Sequence, residues 1–154
     1  MLPPPERSGG LLVIIPCGIK KIWDKDPDAG PTAAAKAYIG PPFVVNRAYA
    51  EQADGDWVVL SAKYGFLRPT DIVLGPYNTT FKRKSSNSIG IAALREQVER
   101  MGLDGYDEVV GLGGTEYREA IAAAFAGTHP RVSFPFANLP IGIAMGRIKR
   151  ATAQ

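Results

Sequence analysis

Three short segments of this chain carry residue types suited to chemistry, and each follows directly on an apolar run. The first is Pro16-Cys17-Gly18-Ile19-Lys20-Lys21, which brings a thiol, a glycine amide and two ammonium groups together. Neighbouring lysines lower a thiol's pKa or hold an anion, so Cys17 and Lys20 are candidate catalytic groups, and Gly18 and Lys21 candidate ligand contacts. The second is Ser61-Ala62-Lys63-Tyr64-Gly65. A hydroxyl, an ammonium and a phenol are hard to justify there by packing alone, and Gly65 permits a tight turn or close approach of a ligand. The third is Gly111-Leu112-Gly113-Gly114-Thr115, whose free backbone amides ahead of a helix suit a phosphate or carboxylate. It lacks the three spaced glycines of a dinucleotide fingerprint, and no lysine follows as in a P-loop. A further stretch, Pro76-Tyr77-Asn78-Thr79-Thr80, offers Tyr77 for stacking and Asn78 for hydrogen bonding to a base or sugar.

Each segment also has a plainer reading. Cys17 is equally a small buried hydrophobe beside solvated lysines. Ser61 is equally a helix cap with Tyr64 packing sideways, and the glycines of 111–115 equally let a helix approach a sheet. Carboxylates for acid–base work are scarce: Asp71 and Glu116 are the candidates, and both suit a surface or a first helical turn. The single histidine, His129, sits in a Gly-Thr-His-Pro turn beyond a helix, which argues against a Cys/His dyad.

The elements that must position these loops are legible in the apolar pattern. Residues 11–15 and 57–60 are continuous apolar runs and 108–112 a third apolar segment, as expected of strands covered on both faces. A helix is expected over 43–52. Another is expected behind the capping oxygens of Ser85, Ser86, Asn87 and Ser88, with Ile91, Leu94, Val98 and Met101 on one face and Gly102 at its end. Thr115 is expected to cap a third helix with Tyr117, Ile121 and Phe125 on one side. A short strand over 132–134 and a helix over 141–150 complete the pattern. Residues 18–42 read as a long loop with an Ala-rich turn over 32–38, and 66–84 as an irregular wrap broken by Pro69, Gly75 and Pro76. Alternating strands and helices imply a three-layer, Rossmann-like α/β fold: a mostly parallel sheet with helices on both faces and ligand loops along one edge. One domain over 11–150 is expected, with a flexible arm over 1–10 and a frayed tail over 151–154.

With 154 residues, 45% of them apolar, the chain has one core of ordinary size. No apolar run approaches the ~20 residues of a membrane span, and the first residues lack the pattern of a signal peptide. Cytoplasmic localisation and no membrane association are the expectation. One cysteine and one histidine exclude an intramolecular disulfide and a four-ligand Cys/His zinc site. No metal or cofactor is called for, and the oligomeric state is left open. Basic clusters at Lys20, Lys21 and Lys25, at Lys82, Arg83 and Lys84, and at Arg147, Lys149 and Arg150 suit an anionic partner or a solvated surface.

Taken together, Pro-Cys-Gly-x-Lys-Lys, Leu60-Ser-Ala-Lys-Tyr-Gly-Phe-Leu67, Pro76-Tyr-Asn and Gly113-Gly-x-x-Tyr117 resemble a family of small uncharacterised bacterial and phage proteins. That family is distantly similar to the YaaA peroxide-stress proteins, which carry a Leu-Ser-x-x-Tyr-Gly-x-Leu-x-Pro segment followed by Pro-Tyr. The likeness spans about residues 11–149, in a chain much shorter than YaaA. A weaker likeness is to the catalytic domain of archaeosine synthase, where a Pro-Cys motif precedes a lysine that attacks the nitrile of a 7-deazaguanine base. Lys20 or Lys21 is the matching position, while the Lys-Pro-Tyr and the later Ser and His of that pattern are absent.

The resulting expectation is an enzyme acting on a nucleobase, nucleoside or nucleotide, in nucleic-acid modification or damage response. Gly113, Gly114 and Thr115 would hold phosphate or ribose, Tyr64 and Tyr77 the base, and Lys20 or Lys63 would bring positive charge to the reacting centre. Ser61, Gly65, Asn78 and Tyr117 complete the expected contacts. The alternative is a non-catalytic nucleic-acid-binding module using the basic clusters.

Overall fold

The computed structural model describes residues 9–82 and 87–153. The sheet grows from Leu11–Pro16 (β1), whose middle residues, Leu12 through Ile15, are all buried. β1 pairs in parallel with Asp56–Ser61 (β3) on one side and with Glu108–Gly111 (β6) on the other, and β6 pairs in parallel with Arg131–Ser133 (β7). Gly65–Leu67 (β4) adds the single antiparallel edge, giving the order β4-β3-β1-β6-β7. Successive residues of β1 point to opposite faces, which explains why the run is apolar throughout. Leu12 and Ile14 pack with Ile91–Arg100 (α4) and Thr115–Phe125 (α5) through Leu94, Val98, Ile121 and Phe125. Val13 and Ile15 pack with Phe43 and Ala50 of Pro41–Gln52 (α3). The C-terminal helix Ile141–Ala153 (α6) lies against α3. The architecture is therefore the mostly parallel three-layer α/β fold that the apolar pattern implies.

Several boundaries differ from expectation for identifiable reasons. α3 begins two residues earlier than 43 because Pro41 and Pro42 occupy its first turn, where a missing N–H is no loss. α4 is preceded by Gly90 without a side-chain cap; Ser85 and Ser86 lie outside the described residues. Thr115 is the first residue of α5 and not its cap; Gly114 precedes it, and the Thr115 hydroxyl accepts from Arg118 Nη2 at 3.1 Å. The expected frayed tail is an extension of α6 through Ala153. The expected arm lies mostly outside the described residues, but the Gly10 carbonyl accepts from the amides of Asp107 and Glu108, both at 3.1 Å.

The segments over 18–42 and 66–82 are more ordered than their composition suggests. The first contains the short helices Ile22–Lys25 (α1) and Ala34–Ala37 (α2), with Thr32–Ala33 (β2) between them. β2 pairs antiparallel with Ile72–Val73 (β5) of the second segment. The amides of Ala34 and Ala35 extend the seam by donating to Asp71 and Pro69 carbonyls at 2.8 and 3.0 Å. This small second sheet lashes the two segments together.

Candidate functional site

At the end of β1 the chain keeps to the sheet for one more residue: the Cys17 amide donates to the Leu60 carbonyl at 3.1 Å. The thiol is buried, and its sulfur lies 3.5 Å from the Tyr117 hydroxyl of α5. Four residues on, Lys21 caps α1, its amide donating to Asp24 Oδ2 at 2.9 Å, while its backbone bridges to Tyr38. These constraints turn the Lys21 side chain inward, so that the residue is only 5% exposed. Its ammonium donates to the Ile19 carbonyl at 3.0 Å and stands 4.4 Å from the centre of the Tyr77 ring and 6.0 Å from that of Tyr38. Loss of hydration lowers the Lys21 pKa, an effect opposed by the neighbouring Cys17 and Asp24 side chains.

Around this amine runs a chain of hydroxyls. Ser61 Oγ accepts from the amides of Lys63 and Tyr64 at 3.2 and 3.1 Å, and meets the Tyr77 hydroxyl at 2.7 Å. Tyr77 in turn meets the Tyr38 hydroxyl in a short hydrogen bond. A serine hydroxyl has two lone pairs and one proton. With both lone pairs engaged by amides, Ser61 donates to Tyr77, and Tyr77 donates to Tyr38. Burial pushes the pKa values of Tyr38, Tyr77 and Tyr117 up, so these phenols hold their protons. Tyr64 stands edge-on to Tyr77 with ring centres 5.3 Å apart, and the exposed Lys63 ammonium lies 5.2 Å from the Tyr64 ring and 5.6 Å from that of Tyr77. Two cations thus address the electron-rich surface of one phenol.

Of the residues singled out in the sequence, Cys17, Lys21, Ser61, Lys63, Tyr64, Tyr77 and Tyr117 come together. Lys21 and not Lys20 enters the cluster; Lys20 is exposed and lines a neighbouring cavity. Asn78 is exposed. Gly65 is a structural residue in this arrangement: its φ is +75°, and a Cβ there would sit 2.1 Å from Gln97 Oε1. Gln97 of α4 clamps the turn, accepting from the Phe66 amide and donating to the Tyr64 carbonyl, both at 2.8 Å. Gly113, at φ +114°, lets the β6 loop press on the β1 loop; a Cβ there would lie 3.1 Å from the side chains of Pro16 and Tyr117. Asp71 is absorbed in a local turn, accepting from the Arg68 amide at 2.7 Å. His129 pairs with Asp107 at 3.0 Å on the surface and takes no part. Sequence reasoning misses Tyr38 and Gln97, which belong to the site only through contacts distant in the chain. Tyr38 has one local signal: a lone aromatic closing a run of small residues.

On the β6 side of Cys17 lies a cavity of about 460 Å³, lined by Gly18 and Lys20 after β1 and by Gly113, Gly114 and Glu116 at the start of α5. The chain leaves β1 towards β3 and later returns to its other side as β6. The crevice beyond the carboxyl ends of β1 and β6 is therefore the topological switch point, where open α/β sheets bind ligands. Among the described residues no group of acids, histidines and cysteine is arranged to hold a metal ion.

A crystal structure described as AF0587, a protein of unknown function, is similar over 96% of this chain at a TM-score of 0.48 and 12% identity; the chain spans 46% of that protein. The uncharacterized protein YfjM of Bacillus subtilis (strain 168) is 41% identical over 144 residues, covering 93% of this chain and 95% of the relative. Residues 12–150 match a family of unknown function, DUF6884, and with β1 through most of α6 inside that match, the chain belongs to this family.

Proposed function

We propose that the protein is an enzyme acting on a nucleobase, nucleoside or nucleotide, with Lys21 as its reactive amine. The observation that carries this reading is the burial of the Lys21 ammonium beneath a chain of protonated tyrosines at the carboxyl edge of a parallel sheet. A lysine becomes nucleophilic when burial favours its neutral form. In this reading Tyr77 and Tyr38 exchange protons with a reacting group beside that amine. The chemistry this arrangement suits is addition of the amine to an electrophilic carbon on a heterocycle, such as a carbonyl or nitrile. The nitrogen lone pair forms the new bond, the multiple-bond electrons move to the heteroatom, a phenol protonates it, and the amine's surplus proton restores the phenol. Lys21 is, with Lys20, one of the two lysines at the matching position of the archaeosine synthase resemblance, whereas the resemblance to YaaA carries no reaction.

Two measurements test the reading. Calorimetric titration with a panel of nucleotides, nucleosides and free bases should give heat with at least one member; silence across the panel would count decisively against it. Intact-mass spectrometry after incubation with nitrile- or carbonyl-bearing bases should find an adduct that Lys20→Ala retains and Lys21→Ala loses.

The rival reading is a nucleic-acid-binding module, favoured by Arg147, Lys149 and Arg150 all standing exposed on α6. Arg83 and Lys84 lie outside the described residues. Binding of that kind weakens steeply with salt through counterion release, so gel shifts with DNA and RNA across a salt series discriminate the two.

A further inference from the structure

The cavity at the switch point has a feature that the tyrosine cluster does not explain. Asn46 of α3 lines it, is 1% exposed, and its Oδ1 has no hydrogen-bond partner. An orphaned buried carbonyl costs roughly 1–3 kcal/mol, so in a folded protein it calls for a partner. Its place in the cavity wall sets the carboxamide beside whatever polar edge a bound ring presents there.

Three further properties of the cavity narrow what that partner is. Its walls are mainly apolar, with Phe43, Leu112 and Phe136 among them, which suits a flat ring. The N-terminus of α5, a helix of 11 residues, opens into it through Gly113 and Gly114, presenting first-turn amides that have no partner within the helix and the positive end of the helix dipole. Lys20, Lys82 and Arg118 line it against one acid, Glu116, so the charge balance favours an anion while one carboxylate remains to accept from hydroxyls. Its volume falls within the ~300–1,000 Å³ of small-ligand sites.

We infer that this cavity binds a nucleoside monophosphate, with phosphate at the α5 N-terminus, the sugar near Glu116 and the base edge on Asn46. The identification of the ring as a nucleobase rests on the function proposed above; the anionic end, apolar body and polar edge come from the cavity itself. Tyr117 joins the two regions, since it lines the cavity and its hydroxyl reaches Cys17. The monophosphate thus sits on the β6 side of Cys17 and the reactive amine on the β3 side.

Calorimetry of the full chain with adenosine, guanosine, cytidine and uridine 5′-monophosphates, their nucleosides and inorganic phosphate tests the inference. At least one monophosphate should bind, with its nucleoside and phosphate alone each weaker by about tenfold or more. Asn46→Ala should lower that affinity by about tenfold without lowering the melting temperature, because it removes an unsatisfied polar group. A merely structural asparagine would move the melting temperature instead. Arg118→Ala should weaken the monophosphate and spare the nucleoside. Monophosphate binding indifferent to both Asn46→Ala and Arg118→Ala overturns the inference. A nucleoside that binds as tightly as its monophosphate overturns it too, yet leaves the proposed enzyme standing. Silence from every nucleotide, nucleoside and base overturns both.

Discussion

At the scale of single residues, the decisive fact is how differently the adjacent lysines Lys20 and Lys21 are solvated. A charge taken out of water is unstable unless paired, and Lys21 has one carbonyl, aromatic ring surfaces and the nearby Cys17 and Asp24 side chains for company. Its lowered pKa has a consequence for stability. Between that value and about 10.4, the ordinary lysine value, the unfolded chain binds more protons than the folded one, so folding stability rises with pH. Replacing Lys21 with Met removes this contribution. The melting temperature of the native protein should therefore gain on that of Lys21→Met as pH is raised from 7 towards 10. Above pH ~10 stability falls with pH in both proteins, because Tyr38, Tyr77 and Tyr117 keep protons that unfolded tyrosines release. Melting curves of the two proteins at matched pH check this, and parallel pH profiles would show that Lys21 is hydrated in solution.

Among the elements, the turn between β3 and β4 carries the most constraint for its length. Gly65 reverses the chain with a positive φ, and Gln97 from α4 fastens both sides of the reversal. The same turn holds Ser61, Lys63 and Tyr64 in place, so an α4 side chain indirectly sets the position of the site. Gly65→Ala strains the backbone and displaces the Gln97 amide; the expected cost is about 1–3 kcal/mol, read as a lower urea midpoint. Binding should weaken in the same variant, since Tyr64 and Tyr77 lose their relative position. A fully stable Gly65→Ala protein would show that the turn has another conformation open to it.

Across the whole molecule, two apolar layers share one sheet. Leu12 and Ile14 belong to the α4–α5 layer and Val13 and Ile15 to the layer under α3, so consecutive residues of β1 couple the two. Domains of this size commonly unfold in one step. Trp23 and Trp57 both report on the α3 layer, whereas far-UV circular dichroism reports on every helix. The urea transitions followed by tryptophan fluorescence and by circular dichroism should coincide; separated midpoints would mean that one layer melts while the other persists. Among the described residues no helix is long and apolar enough to cross a membrane.

Local pattern alone determined the α/β class, β1, β3 and β6, the main helices, and the three loops that meet at one sheet edge. These are periodic or run-length features, and hydrophobic burial enforces them over many residues at once. Tertiary structure decided which lysine is buried, that Tyr38 and Gln97 belong to the site, that Gly65 shapes a turn, and that Asn46 is left without a partner. Each of those depends on contacts between segments far apart in sequence, where one residue's turn inward or outward reverses its solvation. Nothing in the local pattern records that direction, because the small β2–β5 sheet that brings Tyr38 over Tyr77 has only two residues in each strand.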